Sequence, residues 1–393
     1  MRIGLVSHEP FYPPSGGGSL ELVEVVKALR GRGHDVSVFS PQIRDPERVA
    51  KELGVTLHQF SLFEMSRYTN FRIQKYILYP LIIQNRLKKL VKKDRLDLLA
   101  TQHSISSLAA GLVHKSIKKP IVMNYLDFLT GFLYDWPVFR NVPLFTDVLF
   151  RSEVSFPNIF SADRLLTISD SMSRVFVERG YPKERTRAIG YGVDTHHFSP
   201  KAEKAMDFDG PVVSLHGTLD PHHGGTLFIK TAKAVIEKRP EVKFLVVGKG
   251  QYLAHLKKRA KELGIAKNMI FTGWVDYEKI PGYVRSADLT IVPYGYTKGL
   301  DYSIFCKALE SLSVEKPVVC TRSTAMAELF RGKEFVGFAD FSVQSLRDEI
   351  LRMLDKTGTQ RAKLGRDGRK FVEDSMSWEK VTGRMVSAYE ELA

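Results

Sequence analysis

The sequence predicts an α/β protein with two domains, each built on a parallel β-sheet covered by helices. In both halves, short apolar runs typical of buried strands alternate with segments whose apolar residues recur at helical spacing. The length of 393 residues exceeds what one ordinary hydrophobic core supports. A stretch punctuated by Gly and Pro, TRAIGYGVDTHHFSP at 186–200, lies near mid-chain and predicts the domain boundary.

The composition is that of a soluble globular protein, with 44% apolar and 26% charged residues. Cys306 and Cys320 both lie in strongly patterned segments, which favours core thiols over a disulfide framework or a metal site. The N-terminal residues MRIGLVSHEP predict a strand and not a signal peptide, and no apolar run reaches transmembrane length. We therefore expect a cytoplasmic protein, with peripheral contact to the inner face of a membrane as an option.

The net charge of +14 suggests nucleic acid, an anionic membrane face or phosphorylated substrates as partners. No nucleic-acid-binding motif is present, so we do not expect nucleic acid to be the partner. The basic residues are concentrated in 66–95, where a single acid, Asp94, accompanies Arg67, Arg72, Lys75, Arg86, Lys88, Lys89, Lys92, Lys93 and Arg95.

The segment 66–95 also contains the apolar run YILYPLII at 76–83. Apolar residues among dense cations are typical of an interfacial membrane-binding segment. A helix with one core face and one solvated basic face explains the pattern nearly as well. A second region rich in aromatics, 128–160, predicts either an apolar wall that receives a lipid tail or hairpin helices packed in the core.

The first 40 residues predict a strand, a glycine-rich loop, a helix and a second strand, in that order. Gly16, Gly17 and Gly18 precede the helix, where they would let a phosphate or a sugar approach the backbone closely. A tight strand-to-helix turn explains these glycines equally well.

The same rhythm returns after 200, and its clearest unit is 287–321. A strand pattern at 289–293 is followed by a loop, a helix from about Ser303 to Leu312 and a strand at 317–320. The loop lies at the carboxyl end of a strand, where open α/β sheets bind ligands. The helix carries Lys307 and Glu310, which predict either a solvated ion pair or, if they face a cleft, a contact with ribose or sugar hydroxyls.

Taken together, these segments resemble the retaining, nucleotide-sugar-dependent glycosyltransferases of family 4. The resemblance covers nearly the whole chain and rests on the order and spacing of several motifs. These motifs are GGGSLELVEVVKALRGRGHDV (16–36), ADRLLTISDSM (162–172), IGYGVDTHHFSP (189–200), FLVVGKG (244–250), FTGWV (271–275), ADLTIVPY (287–294) and KALESLSVEKPVV (307–319).

The resemblance implies the GT-B fold, in which two Rossmann-like βαβ domains face a central cleft. The implied division is an acceptor-side domain at 1–190 and a donor-binding domain at 191–377, with a C-terminal helix at about 378–393 packing back on the first domain. The implied reaction moves a sugar from a UDP- or GDP-sugar to a hydroxyl of a glycan or lipid-linked acceptor, with retention. The family needs no metal and no cofactor beyond the donor.

The resemblance also implies roles for individual residues. Gly16 and Gly17 would face the donor phosphate, and backbone around Trp274 and Val275 would frame the base. Glu310 would hold the ribose. The spacing alone favours a solvated ion pair with Lys307, and the resemblance reverses that preference. Lys307 matches a lysine found three residues before that glutamate. Further donor contacts are expected at the glycines of two loops and at backbone amides before the helix, namely Gly217, Gly248, Ser303, Ile304 and Phe305.

The chain departs from the family pattern at the loop that clamps the diphosphate. Thr218 follows Gly217 where the family has Arg, and His223 stands where it has Lys. Tyr302 replaces the first glutamate of the family's pair.

The N-terminal half departs as well. The family has a histidine followed by an aspartate in this half. Here Asp127 matches the aspartate, and Leu126 stands in place of the histidine. Ser19 replaces an acid that is common after the glycines.

These departures fit three interpretations: an enzyme with a redrawn site, an enzyme for a different donor, or a degenerate transferase that serves as a binding or scaffold subunit. In the first, His216, His222, His223, Lys298 and Lys307 are the candidate cations. His103 and Asp127 are the polar candidates in the first domain for contacting donor or acceptor, although His103 would equally be a satisfied histidine at a strand end.

Overall fold

The computed structural model describes residues 1–14, 16–60, 72–135, 142–219 and 224–392, without the side chains of 72–77 and 135. Contacts group the chain into two compact units. Unit 1 comprises Met1–Tyr191, Thr297–Ser303 and Glu379–Ala393, and unit 2 comprises Gly192–Tyr296 and Ile304–Trp378.

Unit 1 is built on a seven-stranded parallel sheet of order β3-β2-β1-β4-β5-β6-β7. Its strands are β1 Arg2–Val6, β2 Asp35–Pro41, β3 Thr56–Phe60, β4 Leu98–Gln102, β5 Ile121–Tyr125, β6 Arg164–Thr167 and β7 Thr186–Ala188. The central strands β4 and β5 are buried along their whole length, as expected for a parallel sheet covered on both faces. The order reverses between β1 and β4, which is where doubly wound sheets bind ligands.

The helices of unit 1 connect these strands in the alternating order that the sequence predicts. They are α1 Gly17–Gly31, α2 Pro46–Leu53, α3 Arg72–Lys93, α4 His103–Ile117, α5 Pro143–Ile159 and α6 Asp170–Glu178, with 3-10 turns at Leu129–Asp135, Lys183–Arg185 and Leu300–Tyr302. Helix α6 begins directly after Ser169, whose hydroxyl oxygen accepts the Met172 amide at 3.1 Å and caps the helix.

Unit 2 is built on a six-stranded parallel sheet of order β10-β9-β8-β11-β12-β13. Its strands are β8 Val212–His216, β9 Lys243–Val247, β10 Met269–Gly273, β11 Leu289–Val292, β12 Val318–Thr321 and β13 Val336–Ala339. Its helices are α7 Gly225–Lys238, α8 Leu253–Glu262, α9 Ile280–Arg285, α10 Cys306–Ser313, α11 Thr324–Leu329, α12 Val343–Leu354 and α13 Gly358–Ser375, with 3-10 turns at Ala266–Asn268 and Tyr277–Lys279. The order of the strands reverses between β8 and β11, so this sheet has its own switch point.

The last helix, α14 Trp378–Glu390, begins in unit 2 and continues into unit 1. Within unit 1, Tyr389 is fully buried and Glu390 accepts hydrogen bonds from His34 at 2.8 Å and Arg32 at 2.9 Å. Glu391, just beyond the helix, pairs with Arg164 at 2.8 Å. These contacts fix the end of the chain against strands and helices far from it in sequence.

Helix α3 has a buried face and an exposed face that differ sharply. The buried face consists of Tyr79, Ile83, Leu87 and Val91, spaced four residues apart. The exposed face is apolar at Leu78, Leu81 and Ile82, which are about half exposed, and basic further along at Arg86, Lys89, Lys92 and Lys93. The buried face fits the interpretation of this segment as a helix with one core face. The apolar and basic exposed face fits the interpretation as an interfacial membrane-binding segment.

The aromatic region at 128–160 also divides between core and surface. In α5, Phe150 and Val154 are buried, whereas Leu144, Phe145 and Val148 are between 51% and 78% exposed. The described part of this region is a 3-10 turn followed by one helix, so a simple pair of core-packed helices is not formed there. Among the described residues, no helix is both long and apolar enough to cross a membrane.

Leu87→Ala should lower the free energy of unfolding by about 2–5 kcal/mol, because it opens a cavity beneath a fully buried side chain. Leu81→Ala, on the exposed face of the same helix, should change it by no more than about 0.5 kcal/mol. Urea unfolding monitored by circular dichroism measures both. Equal effects of the two substitutions would contradict this assignment of the faces of α3.

Candidate functional site

In unit 2, three predicted or suspected site residues meet at the carboxyl end of the sheet. Glu310 lies on α10 and is only 8% exposed. The Lys307 ammonium, one turn earlier, donates to both oxygens of its carboxylate at 2.8 and 3.0 Å. His216, the last residue of β8, has its Nε2 atom 3.0 Å from Glu310 Oε2. The alternative of a solvated ion pair on the protein surface is therefore wrong.

The charges in this cluster follow from burial and pairing. Burial disfavours ionisation of Glu310, but the Lys307 charge and the hydrogen bond from His216 outweigh it and lower the pKa of Glu310 to about 2. Burial likewise opposes the charge on Lys307, yet the adjacent carboxylate raises its pKa above the ordinary value. Lys307 and Glu310 are thus both charged at neutral pH.

Burial lowers the pKa of His216, more than the neighbouring carboxylate raises it. His216 is therefore a neutral donor through Nε2–H, with its buried Nδ1 atom lacking a hydrogen-bond partner among the described residues. The suggestion that His216 supplies positive charge is wrong, because its environment favours the uncharged ring.

Gly217 and Gly248 bring two loops into contact beside this cluster. Both have left-handed φ angles, +116° and +142°. A Cβ atom on Gly248 would lie 2.0 Å from the carbonyl oxygen of Gly217, and one on Gly217 would lie 2.9 Å from Lys307 Cε. Only glycine fits either position, so both glycines are needed to seat Lys307 against the backbone.

The Gly248 amide also donates to the carbonyl of Gly273 at 3.0 Å, which places the end of β10 beside the same loops. Trp274 follows, with its side chain 66% exposed and the Lys249 ammonium 4.2 Å from the ring centre. Val275 is half-buried. An exposed indole at the sheet edge provides a flat surface on which an aromatic ligand can stack.

The start of α10 differs from the prediction. The helix begins at Cys306, not at about Ser303, because the backbone of Ser303 is extended. The Ser303 amide donates to Leu300, and the Phe305 amide lies 3.3 Å from Met326 Sδ. Two of the three amides expected to face a diphosphate therefore already have partners. Tyr302 and Ser303 belong to unit 1, whereas Ile304 and Phe305 belong to unit 2.

In unit 1, the glycine loop and His103 lie together at the switch point. Gly16 is the N-cap of α1, and the Gly17 carbonyl accepts a hydrogen bond from Tyr191 at 3.1 Å. A Cβ atom on Gly18 would approach His103 Nε2 to 2.8 Å. The loop therefore packs directly against the imidazole.

His103 has a left-handed φ of +63°, which is unusual for a residue other than glycine and is often found at functional sites. Burial lowers its pKa to about 4, so the ring is neutral at pH 7. Its buried Nδ1 atom has no hydrogen-bond partner among the described residues. The unpaired ring nitrogen favours a ligand contact over the interpretation of His103 as a satisfied strand-end histidine.

Asp127 lies just after β5 and accepts a hydrogen bond from Ser303 Oγ at 2.5 Å. Burial, together with the nearby carboxylate of Glu153, raises its pKa to about 6 despite this bond. Ser169 also binds this segment, donating to the Tyr302 carbonyl at 2.7 Å. Asp127, Tyr302 and Ser303 thus form one cluster in unit 1.

The remaining predicted residues are less informative. Thr218 is exposed after Gly217, and Lys298 lies in unit 1, 3.6 Å from Asp147 and 4.1 Å from the centre of the Phe150 ring. His222 and His223 lie outside the described residues. In the described part of the chain, no group of three or more His, Cys, Asp and Glu side chains is arranged to hold a metal ion.

Sequence reasoning missed two buried acids in unit 1, Glu21 and Glu153. Glu153 accepts the amides of Leu129 and Thr130 at 3.0 and 2.9 Å. Glu21 is 1% exposed. The sequence did indicate that Glu21 is buried, because it lies four residues before Val25 and therefore on the apolar stripe of α1.

The two parallel, doubly wound units define a GT-B protein, as the sequence predicts. A solved sucrose-phosphate synthase from Thermosynechococcus elongatus matches with a TM-score of 0.78 at 18% identity, covering 100% of this chain and 98% of that one. Anabaena Alr3699/HepE, solved in complex with UDP, matches with a TM-score of 0.73 at 16% identity and full coverage of both chains.

The family follows from two family models that together span nearly the whole chain. "Glycosyltransferase Family 4" matches residues 15–197, and "Glycosyl transferases group 1" matches residues 201–371. A GDP-mannose-dependent alpha-(1-6)-phosphatidylinositol monomannoside mannosyltransferase of Mycolicibacterium smegmatis is 22% identical over 93% of both chains. The chain belongs to the family 4 glycosyltransferases and is a hexosyltransferase-type enzyme, which confirms the resemblance.

Lys307→Met should lower the free energy of unfolding at pH 7 by about 3–5 kcal/mol, because it leaves a buried carboxylate with only a neutral histidine beside it. Combining it with Glu310→Gln should recover part of that loss. Urea unfolding at pH 7 measures the series.

Lys233→Met is the matched control, since it breaks an exposed pair with Glu237 and should cost at most about 1 kcal/mol. A loss for Lys307→Met no larger than this control would show that the buried pair is not formed.

Proposed function

We propose that this enzyme transfers a hexosyl group from a UDP- or GDP-sugar to a hydroxyl of a lipid-linked or glycan acceptor, with retention at the anomeric carbon. The observation that carries the donor assignment is the buried, ionised Glu310, held by Lys307 beside two glycines at a sheet switch point. Such a carboxylate is suited to accept a hydrogen bond from a ribose hydroxyl, because two oxygens offer about four acceptor sites and the protein uses three, which leaves one.

The other donor contacts follow from the same edge of the sheet. The exposed Trp274 and the backbone of Val275 would frame the base, and the cramped backbone at Gly217 and Gly248 would meet the diphosphate. UDP and GDP both remain candidates, since UDP is bound in the structure of Anabaena HepE and the mycolicibacterial relative is GDP-mannose-dependent. Charge on the leaving diphosphate would be neutralised by cations and by oriented amides, without a metal.

Transfer with retention would proceed by attack of the acceptor on the face from which the diphosphate leaves, assisted by that phosphate. In unit 1 the neutral His103, with its unpartnered Nδ1, and Asp127, with its raised pKa, are the groups proposed to contact the reacting sugars. His223 is proposed to take the place of the family's lysine, where protonation near its ordinary pKa of about 6.5 would tune the clamp.

Glu310→Gln should weaken donor binding about 10- to 100-fold, because a charge-assisted hydrogen bond to ribose becomes weaker or is lost. Isothermal titration with UDP, GDP and their hexose conjugates measures this, and a first thermal-shift screen with the same panel identifies the base. Glu237→Gln, an exposed member of a surface pair, is the control for charge. Unchanged affinity in Glu310→Gln would remove Glu310 from the donor site.

A catalytically degenerate, donor-binding scaffold subunit is the second candidate. Thr218 and Tyr302 favour it, because both replace charged residues of the family pattern. Binding of a nucleotide sugar without hydrolysis or transfer, across donors and lipid acceptors, would support the scaffold and overturn the enzyme.

The membrane part of the proposal rests on the outer face of α3. Three half-exposed apolar side chains precede a basic surface on the same helix, which suits an interface with anionic lipids. The exposed Leu144, Phe145 and Val148 of α5 add apolar surface in the same unit. The mycolicibacterial relative acts on a phosphatidylinositol mannoside, which is consistent with a lipid-linked acceptor here.

Changing Lys88, Lys89, Lys92 and Lys93 to Glu should abolish flotation with vesicles of phosphatidylglycerol and phosphatidylcholine, since each cation near an anionic surface contributes about 1 kcal/mol. The control changes Lys257, Lys258, Lys261 and Lys267 of unit 2 to Glu, which alters the net charge by the same amount on another surface. Equal flotation of wild type and the α3 variant would overturn membrane contact through 66–95.

A further inference from the structure

Glu21 is a buried acid that the donor chemistry does not use. It lies in the first turns of α1, 1% exposed, and packs between the ends of β4 and β5. No salt bridge to Glu21 is formed within the described residues, and its hydrogen-bond donors are two neutral amides. A buried carboxylate without a cation is costly, and in practice such a group binds a proton instead.

One oxygen of Glu21 receives both donors. Oε2 lies 3.0 Å from Gln102 Nε2 and 3.0 Å from Asn124 Nδ2. The same Gln102 nitrogen donates to the carbonyl of Gly18 at 2.5 Å. Glu21 is thus connected, through Gln102, to the glycine loop.

Among the residues that the structure describes, the other oxygen, Oε1, is buried without a hydrogen-bond partner, and so is Oδ1 of Asn124. These atoms belong to two groups that already share one hydrogen bond, and both can only accept while Glu21 is ionised. A proton on Oε1 would donate to Oδ1 and satisfy both atoms at once. The acid and the amide would then form a closed ring with two parallel hydrogen bonds.

We propose that Glu21 is a neutral carboxylic acid in the folded enzyme, closes this ring with Asn124, and thereby positions the Gly18 carbonyl through Gln102. The proton makes Glu21 a pH-sensitive positioning residue. Because Gly18 packs against His103, opening the ring would loosen the loop and the imidazole together.

The charged and titratable groups around Glu21 support this assignment. Asp127, after β5, acts as a like charge, and Tyr389 of α14 and His103 of α4 are both held neutral by burial at pH 7. Burial outweighs the two amide hydrogen bonds and raises the pKa of Glu21 to about 7. The ring should therefore open as the pH rises through neutrality.

The direct test is a 13C NMR titration of the protein labelled at the glutamate side-chain carboxyl. A resonance that titrates near pH 7, absent from Glu21→Gln, is the expected result. Glu153 also has a raised pKa, so the substitution is needed to assign the signal. If Glu21→Gln does not fold, Glu21→Asp makes the same assignment, because it removes the Glu21 resonance from the glutamate carboxyl signals. Titration of Glu21 near its ordinary value would overturn the proposal.

Thermal unfolding gives an independent test, because Glu21→Gln can form the same two-bond ring from an amide that does not titrate. The folded pKa lies above the unfolded value of 4.5, so the stability contributed by the Glu21 proton is complete below about pH 4.5 and is lost as the pH rises through 7. The melting temperature of wild type should therefore fall relative to Glu21→Gln between pH 5 and 8. Asp127 titrates in both proteins, so only its coupling to Glu21 enters the difference between them.

Glu24→Gln, on the same helix but with its carboxylate paired to Lys27 at the surface, is the control and should follow wild type. Parallel melting curves for wild type and Glu21→Gln across this pH range would contradict a neutral Glu21.

The catalytic consequence rests on the proposed function. In a transfer assay, Glu21→Gln should retain its kcat/KM above pH 7.5, where wild type loses at least half. If the protein transfers no sugar at all, the proposed function fails, whereas the NMR and melting experiments still decide the state of Glu21. Identical pH profiles in an active enzyme would show that the ring does not position the loop.

Discussion

The free-energy cost of burying a charged group is the constraint on which both candidate sites depend. Glu310 remains ionised in a buried position because the Lys307 ammonium touches both of its oxygens. That contact needs a residue without a Cβ atom beside the lysine side chain, and Gly217 meets this need. Gly248 must likewise be glycine, because a Cβ atom there would clash with the carbonyl oxygen of Gly217. One ion pair therefore accounts for two glycines and for the geometry of two loops.

Unit 1 resolves the same physical difficulty differently. Within the described part of the chain, no cation contacts Glu21 or Asp127 directly, and their pKa values rise toward neutrality instead of falling. The two units share the doubly wound topology and place polar groups at the same kind of switch point. They differ in the direction in which the buried surroundings shift the pKa of a carboxyl group, which is downward for Glu310 in unit 2 and upward for Glu21 and Asp127 in unit 1.

Much of the fold was predictable because apolar periodicity and glycine placement are local properties. The alternating strands and helices and the family motifs are confirmed. The start of α10 was wrong by three residues, since apolar spacing does not show that Ser303 adopts an extended backbone and bonds to Asp127. Helix α3 allowed two interpretations, because a sequence shows that a face is apolar but not whether the protein covers it. The buried face is confirmed, and membrane contact through the exposed face stays a prediction.

By itself, the sequence determined the class of fold, the family and the residue types at the candidate site of unit 2, including Glu310 and Lys307. Only the tertiary structure decided their chemistry, because a pKa depends on which groups surround a side chain and on how much water reaches it. His216 is neutral and Glu310 charged for that reason. Glu21, which sequence reasoning overlooked, became a candidate proton-holding residue only when Gln102 and Asn124, more than 80 positions away, were found against it.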